Sequence, residues 1–457
     1  MSKTKKALAL IFTAAIIALQ LFTGCSSSQQ EERGSGKTYA VWFSYLEYEE
    51  LCSGMSKKEF TEFAKECAAN LSKAGFNTIY IQAVAFTDAL YDSSVYPPSS
   101  HIPGGIQSAK ATESKSKDSG IHTGVGFGIG FGKGGWTRTG VEVSIGMEGR
   151  AGNYPEEEES SWPKSSYDPL KILVTQMKKK SIRTEAWINP MRSVKEEELE
   201  SLPDDFIVKK WAKQKKGRAF LHQGRWYLNP YYPEVLRLIT KCASELVQNY
   251  EIDGIHIDDY FYPASLPEEI DAEEFEKERQ KHPKLTLKQF RTVNVDAMVR
   301  QIYTAVKKAN PELTFGISPS GNIQTCRNSL FADPAHWTKQ GTVDYLAPQI
   351  YWGFLHPAKP FAATLNEWKQ ITAGTNVKLI AGLAAYKTGS AQSTNNPEAD
   401  AEWQNSSRIL ADQTLAAIKA DYEGIACFRY ASLFSPSPVN VSHAEKELAA
   451  LEDVMNK

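Results

Sequence analysis

The chain has 457 residues and a formal net charge of −2, so no long-range field favours nucleic acid or an anionic surface. Hydrophobic residues make up 42%, enough for a large core.

The first residues read as an address. Lys3, Lys5 and Lys6 precede an apolar stretch, Ala7 to Leu19, that is short for a permanent membrane span. Leu21-Phe22-Thr23-Gly24-Cys25 closes it and resembles a bacterial lipobox, with Phe22 where leucine is commoner. The resemblance implies that residues 1–24 are a signal peptide and that Cys25 is lipidated. An ordinary signal peptide with a chance cysteine is the other reading. Residues 26–37 have the composition of a flexible tether. The expected place is the cell envelope, lipid-anchored and facing outside the cytoplasm.

About 420 residues remain, within the range of a large barrel domain. Eight short segments rich in β-branched and aromatic residues read as strands: 39–45, 77–84, 183–189, 254–258, 314–318, 345–351, 379–385 and 425–430. Helical patterns intervene near 57–73, 168–180, 232–250, 285–309, 361–373 and 399–419, and one closes the chain near 441–455. The connection over 327–340 is shorter. Eight alternations without a second run of strands predict a single (β/α)₈ TIM barrel over 38–457. A doubly wound sheet would carry a glycine-rich phosphate turn after its first strand, and WFSYLEYEE has none. Between strands two and three, residues 101–163 form a Gly-rich insertion, read either as a cleft wall or as a tolerated surface excursion.

Active sites in this fold sit at the C-terminal strand ends. Those ends carry Gln82 and Asp88, then Trp187, Asn189 and Arg192, then His256, Asp258, Asp259 and Tyr260. Ser318 and Asn322 follow strand five, Gln349, Tyr351 and Trp352 end strand six, and Tyr386 and Lys387 follow strand seven. Tyr45, Glu47 and Tyr48 after strand one either line the cleft or open a helix. Along strand four, side chains alternate, so Ile255 and Ile257 face the helices while His256 and Asp258 face inward. Adjacent Asp258 and Asp259 raise one another's proton affinity if both lose water. Glycosidic hydrolysis needs two carboxyl functions, one to protonate the leaving oxygen and one to stabilise the oxocarbenium-like centre. Asp258 is the first choice for the negative group; Asp259, Asp88 and Glu185 are candidates for the acid. Glu185 shares inward parity with Trp187 and Asn189 but lies deeper, as a buried structural carboxylate would. His256 alone reads more readily as a hydrogen-bonded core imidazole. The 10 Trp and 20 Tyr suit stacking on sugar faces, although most serve packing.

Cys52, Cys67, Cys242, Cys326 and Cys427 show neither a CxxC pair nor a histidine at ligand spacing, so neither a metal nor a cofactor is expected. Cys52 and Cys67 either pair in an oxidising exterior or stay buried thiols. No HxxxH or paired-histidine pattern supports a metal-dependent deacetylase.

The blocks NTIYIQAVAFTDALY (77–91), AWINPMR (186–192), YLNPYYPEV (227–235), YEIDGIHIDDYFYP (250–263), FGISPSGN (315–322), VDYLAPQIYWGF (343–354) and GLAAYK (382–387) resemble those of glycosyl-hydrolase-like family ten. The resemblance implies a TIM barrel and glycan hydrolysis in the cell envelope, with peptidoglycan glycan strands as the substrate of some members. Glu185 departs from a frequent histidine, and the Gly-rich insertion replaces a short loop. The segment from Asp253 to Asp258 is also similar to the α-amylase clan's fourth strand and to the chitinase-type motif. However, Ser318 to Ser320 lack the clan's acid, and Tyr260 stands where the chitinase motif has its glutamate. Asp258 fits both.

The expectation is therefore a glycosidase with catalytic Asp258, Asp259 and Glu185. Gln82, Asp88, Trp187, Asn189, His256, Tyr260, Ser318, Asn322, Gln349, Tyr351, Trp352 and Tyr386 would bind the polysaccharide. Arg192 would hold an anionic substituent. No nucleic acid and no obligate protein partner is implied. A catalytically silent glycan-binding lipoprotein is the alternative.

Overall fold

Alternating apolar strands need a covered face on each side, and a ring of helices supplies one. The computed structural model describes residues 36–105, 162 and 164–457. The expected signal peptide, Cys25, most of the expected tether and the Gly-rich part of the insertion lie outside the described residues.

Eight parallel strands close into a barrel. They are β1 (Thr38–Phe43), β2 (Thr78–Val84), β3 (Arg183–Ile188), β7 (Gly254–Ile257), β8 (Thr314–Ile317), β9 (Tyr345–Leu346), β10 (Lys378–Leu383) and β11 (Gly424–Cys427). Their order around the ring follows the chain, and β11 pairs back onto β1. The fold is a (β/α)₈ barrel. Helices pack outside, among them Lys57–Ala74, Pro233–Asn249 and Leu287–Ala309. Ser56 and Glu59 form a capping box at the start of the first, and Gly75 ends it in the left-handed region at φ 89°.

Two features depart from the sequence reading. The sixth barrel strand is only two residues long and then continues as single bridges from Gln349 to Ser320 and Gly382. Pro348 has no N–H to donate, so the ladder stops there. The second is an antiparallel sheet of β4 (Arg192–Lys195), β6 (Arg225–Leu228) and β5 (Ala219–His222), inserted after β3. Each of its strands has four residues, too few to show a period. The β5–β6 turn uses Gln223 and Gly224, both at positive φ, and Gln-Gly signals such a hairpin less strongly than Asn-Gly.

The alternation on β7 holds. Ile255 and Ile257 pack in the large cluster between sheet and helices, whereas Ala40, Trp42, Tyr80, Trp187 and Tyr345 belong to a separate cluster inside the barrel. Two glycines make room there. A Cβ on Gly254 would stand 2.4 Å from Thr314 Oγ1, and one on Gly316 would stand 1.8 Å from the Tyr345 ring. All five cysteines of the barrel are buried free thiols, so Cys52 and Cys67 form no disulfide. Among the described residues no helix is long and apolar enough to cross a membrane, and no cluster of His, Cys, Asp or Glu could hold a metal ion.

Candidate active site

The C-terminal end of β7 delivers Asp258 to the barrel mouth, buried to 3% exposure. Its Oδ1 accepts the Tyr260 backbone N–H at 3.1 Å, while its Oδ2 is buried without a hydrogen-bond partner. Burial raises the Asp258 pKa well above the usual carboxylate value, and neighbouring Asp259 raises it further. Opposing this are the Tyr260 N–H, the Arg192 guanidinium and the indole N–H of Trp187, which approaches the carboxylate without a well-aligned hydrogen bond. Asp259 is half-buried and also raised by burial, but it accepts from Gln349 Nε2 at 3.0 Å. The same nitrogen donates to the Ser318 carbonyl at 3.1 Å. Each carboxylate accepts one well-aligned hydrogen bond, so deeper burial decides: it favours the proton on Asp258 and the charge on Asp259.

Two more polar groups at this end lack partners. Trp187 Nε1, which approaches Asp258, and Asn189 Nδ2 are buried without a well-aligned hydrogen bond, an arrangement that a folded chain leaves where something else is to be bound. Gln82 holds the surroundings together: its Oε1 accepts from the Tyr45 N–H at 2.8 Å and its Nε2 reaches Asn189 Oδ1 at 3.3 Å.

Aromatic walls flank the carboxylates. On one side the Arg192 guanidinium lies between Phe86 and Tyr260, 4.8 and 4.2 Å from their ring centres. Tyr45 and His101 join Phe86 there, and Arg225 covers the Phe86 ring at 4.7 Å. On the other side Tyr351 packs edge-on against Tyr386 and tilted against Phe428. Lys387 donates to the Tyr351 carbonyl at 2.8 Å, and Trp352 lies against His356. Burial raises the Tyr351 pKa, and Tyr386, Asp259 and Asp258 raise it further.

Several predicted residues lie elsewhere or serve as supports. Glu185 pairs in register with Gly254, four residues and two inward-facing layers below Asp258, and points into the barrel floor. His256 is fully buried beneath the mouth, so it does not reach a ligand. Asp88 accepts the Phe86 N–H at 2.8 Å and shapes its own loop. Asn322 caps the helix Ile323–Ser329. Glu47 is buried at a helix start, bound to Ser44 and Arg429, and Tyr48 is core. Trp42, Phe86, Arg225, Tyr345 and Phe428 were not singled out by sequence. Trp42 carried a usable signal, sharing inward parity with Ala40 on β1.

Residues 151–403 match the family described as glycosyl hydrolase-like 10, and that span is more than half of the chain. The chain belongs to this family. Among curated relatives, this glycosyl hydrolase-like 10 member is 29% identical over 273 residues to the glycosyl hydrolase YngK of Bacillus subtilis (strain 168), covering 54% of this chain and 50% of that protein. Over 243 residues it is 28% identical to the glycosyl hydrolase DigH of Escherichia coli (strain K12), covering 49% and 55%. It thus spans about half the length of these relatives. In fold it is similar to the PgaB (BpsB) glycoside hydrolase domain of Bordetella bronchiseptica, with TM-score 0.51 and 12% identity, covering 92% of this chain and 99% of that one. The α-L-fucosidase isoenzyme 2 of Paenibacillus thiaminolyticus gives TM-score 0.50 at 12% identity, covering 92% and 49%.

Proposed function

We propose that this family member is a cell-envelope glycoside hydrolase that cleaves peptidoglycan glycan strands from a lipid-anchored position. The observation that carries the reading is the Asp258–Asp259 pair at the barrel mouth, with buried unpartnered Trp187 Nε1 and Asn189 Nδ2 beside it. Two carboxyl groups holding one proton between them supply both functions that glycosidic cleavage needs. Asp258 holds the proton and gives it to the leaving oxygen. Asp259, kept ionised by Gln349, stabilises the positive charge that develops on the sugar ring. This reverses the roles expected from sequence, because Asp258 is the more deeply buried of the two. Trp187 and Asn189 bind sugar hydroxyls, and the Tyr351–Tyr386 and Phe86–Tyr260 walls take ring faces. Arg192, with no ion-pair partner within 4 Å among the described residues, meets the lactyl carboxylate of a strand stripped of peptide. The names of YngK and DigH, both glycosyl hydrolases, support the reaction class.

The test is product analysis on glycan strands with and without peptide stems, using the full chain and its Asp258→Asn variant. Cleavage by the wild type that stops in the variant supports the reading. Binding without cleavage by the wild type would replace it with a glycan-capturing lipoprotein.

A further inference from the structure

A chain of buried hydrogen bonds runs from the barrel floor to the carboxylate pair. Trp42 Nε1 lies 3.1 Å from His256 Nε2. An indole nitrogen can only donate, so Nε2 accepts, and the neutral ring carries its proton on Nδ1. That Nδ1 lies 2.8 Å from the Tyr345 hydroxyl, which therefore accepts from it. The tyrosine's own hydrogen goes to Glu185 Oε2 at 2.6 Å. Above the ring, the Ser318 hydroxyl meets Nε2 at 3.1 Å, and the Ser318 carbonyl accepts from the Gln349 amide that holds Asp259. The Tyr80 ring stacks on the imidazole at 4.3 Å and keeps it from turning.

We infer that Glu185 is a positioning residue: through Tyr345 it acts with the Trp42 indole to fix which nitrogen of His256 carries the proton, and through that ring it holds Ser318 and Gln349 in place beneath the carboxylate pair. The consequence for catalysis rests on the glycosidase reading; the tautomer does not.

Glu185 serves in either charge state. Its Oε1 accepts from Thr314 Oγ1 at 2.7 Å, and that hydroxyl has a second acceptor, the Asp253 carbonyl, at 3.2 Å. When Glu185 gains a proton, Oε1 donates to Thr314, Thr314 turns to Asp253, and Oε2 still accepts from Tyr345. The charged and titratable groups facing Glu185 are Arg183 at 3.7 Å, Asp253, Tyr80 and Tyr345. Burial raises Glu185 to about 7, so both states occur near neutrality. Gly254 and Gly316 leave the space in which Thr314, Glu185 and Tyr345 meet, since a Cβ at either would overlap this network.

The test uses the full chain labelled with ¹⁵N-histidine and reads the ring nitrogens of His256 by NMR. Trp42→Phe removes the one group on Nε2 that can only donate; the Ser318 hydroxyl there can donate or accept, so Glu185 and Tyr345 are left to set the proton. In that background the Nδ1 proton is expected to stay. Adding Glu185→Met should move it to Nε2, because the freed Tyr345 hydroxyl then donates to Nδ1. Adding Glu185→Gln should keep it on Nδ1, since the amide oxygen still accepts. Loss of the Nδ1 proton in Trp42→Phe alone, or its retention beside Glu185→Met, overturns the inference. Should the doubly substituted chain not fold, Glu185→Met alone, in which Trp42 still holds Nε2 as the acceptor, should shift the Nδ1 resonance as the Tyr345 hydroxyl loses its acceptor, and an unchanged resonance overturns the inference. In kinetics on glycan strands, Glu185→Met should lower kcat roughly tenfold, the size outer-shell partners show elsewhere, with little effect on KM, and Glu185→Gln should recover most of it. A tautomer that responds as stated in a protein that cleaves nothing would sink the glycosidase reading and leave the role of Glu185 standing.

Discussion

Asp258→Asn should abolish cleavage while making the protein more stable at neutral pH. The activity loss follows from removing the proton donor, an effect of about 10²–10⁴-fold for general acids. The stability gain follows from the surroundings of Oδ2, which is buried and has no hydrogen-bond partner. An amide cannot ionise, so the variant is spared the cost of holding a proton that the unfolded chain releases, a net of about 1–3 kcal/mol once the amide's own unpartnered N–H is set against it. Unfolding entropy of about 2.1 cal/mol/K per residue over some 420 residues converts this into a rise of roughly 1–3 °C in Tm. The pH dependence gives the sign a second check. The folded pKa of Asp258 is raised, so the wild-type penalty is absent below the unfolded value and grows as pH climbs through it. The gain in the variant should therefore be small near about pH 4 and larger at pH 7. Scanning calorimetry at both pH values measures it. A variant less stable than wild type at neutral pH, or a shift of equal size at both, would refute the argument from an unpartnered buried carboxylate.

Glu185→Gln should flatten part of the pH dependence of stability. Burial raises Glu185 from 4.5 to about 7, so the wild type loses about 3 kcal/mol as pH rises through that window. Urea midpoints at pH 5 and 8 should converge in the variant relative to wild type; equal pH slopes would contradict this. Arg192→Lys should raise KM several-fold, because an ammonium cannot lie flat between Phe86 and Tyr260, and each such contact is worth about 0.5–2 kcal/mol. Initial-rate kinetics on glycan strands decide it, and an effect confined to kcat would argue against binding. Gly316→Ala should destabilise by about 3 kcal/mol, since its Cβ would fall 1.8 Å from the Tyr345 ring; denaturant unfolding reads this, and a change under about 0.5 kcal/mol would be inconsistent with the packing.

The barrel was legible because its strands are bounded by turns and separated by long amphipathic helices, and because parity on β7 sent Ile255 and Ile257 outward. Parity also put Glu185 and Trp187 inside, yet it gave no depth. Only the register with Gly254 shows Glu185 at the floor. The partners of His256 come from β1, from the residue after β8 and from β9, and nothing local to GIHID announces Trp42, Ser318 or Tyr345. The small sheet stayed hidden because four-residue strands carry no readable period. The assignment of charge to Asp259 was likewise out of reach, resting on which of two adjacent carboxylates the fold buries more deeply.

The barrel interior is filled across strand boundaries, and Gly316 and Tyr345 show what that entails. The space vacated on β8 is occupied by a ring from β9, so neither position can change size alone. A larger residue at 316 becomes tolerable only beside a smaller one at 345, and a smaller one there would give up the hydroxyl through which the histidine is held. The two sites therefore behave as one unit of substitution: sequences that keep the tyrosine should keep the glycine, and those that abandon either are free to abandon both.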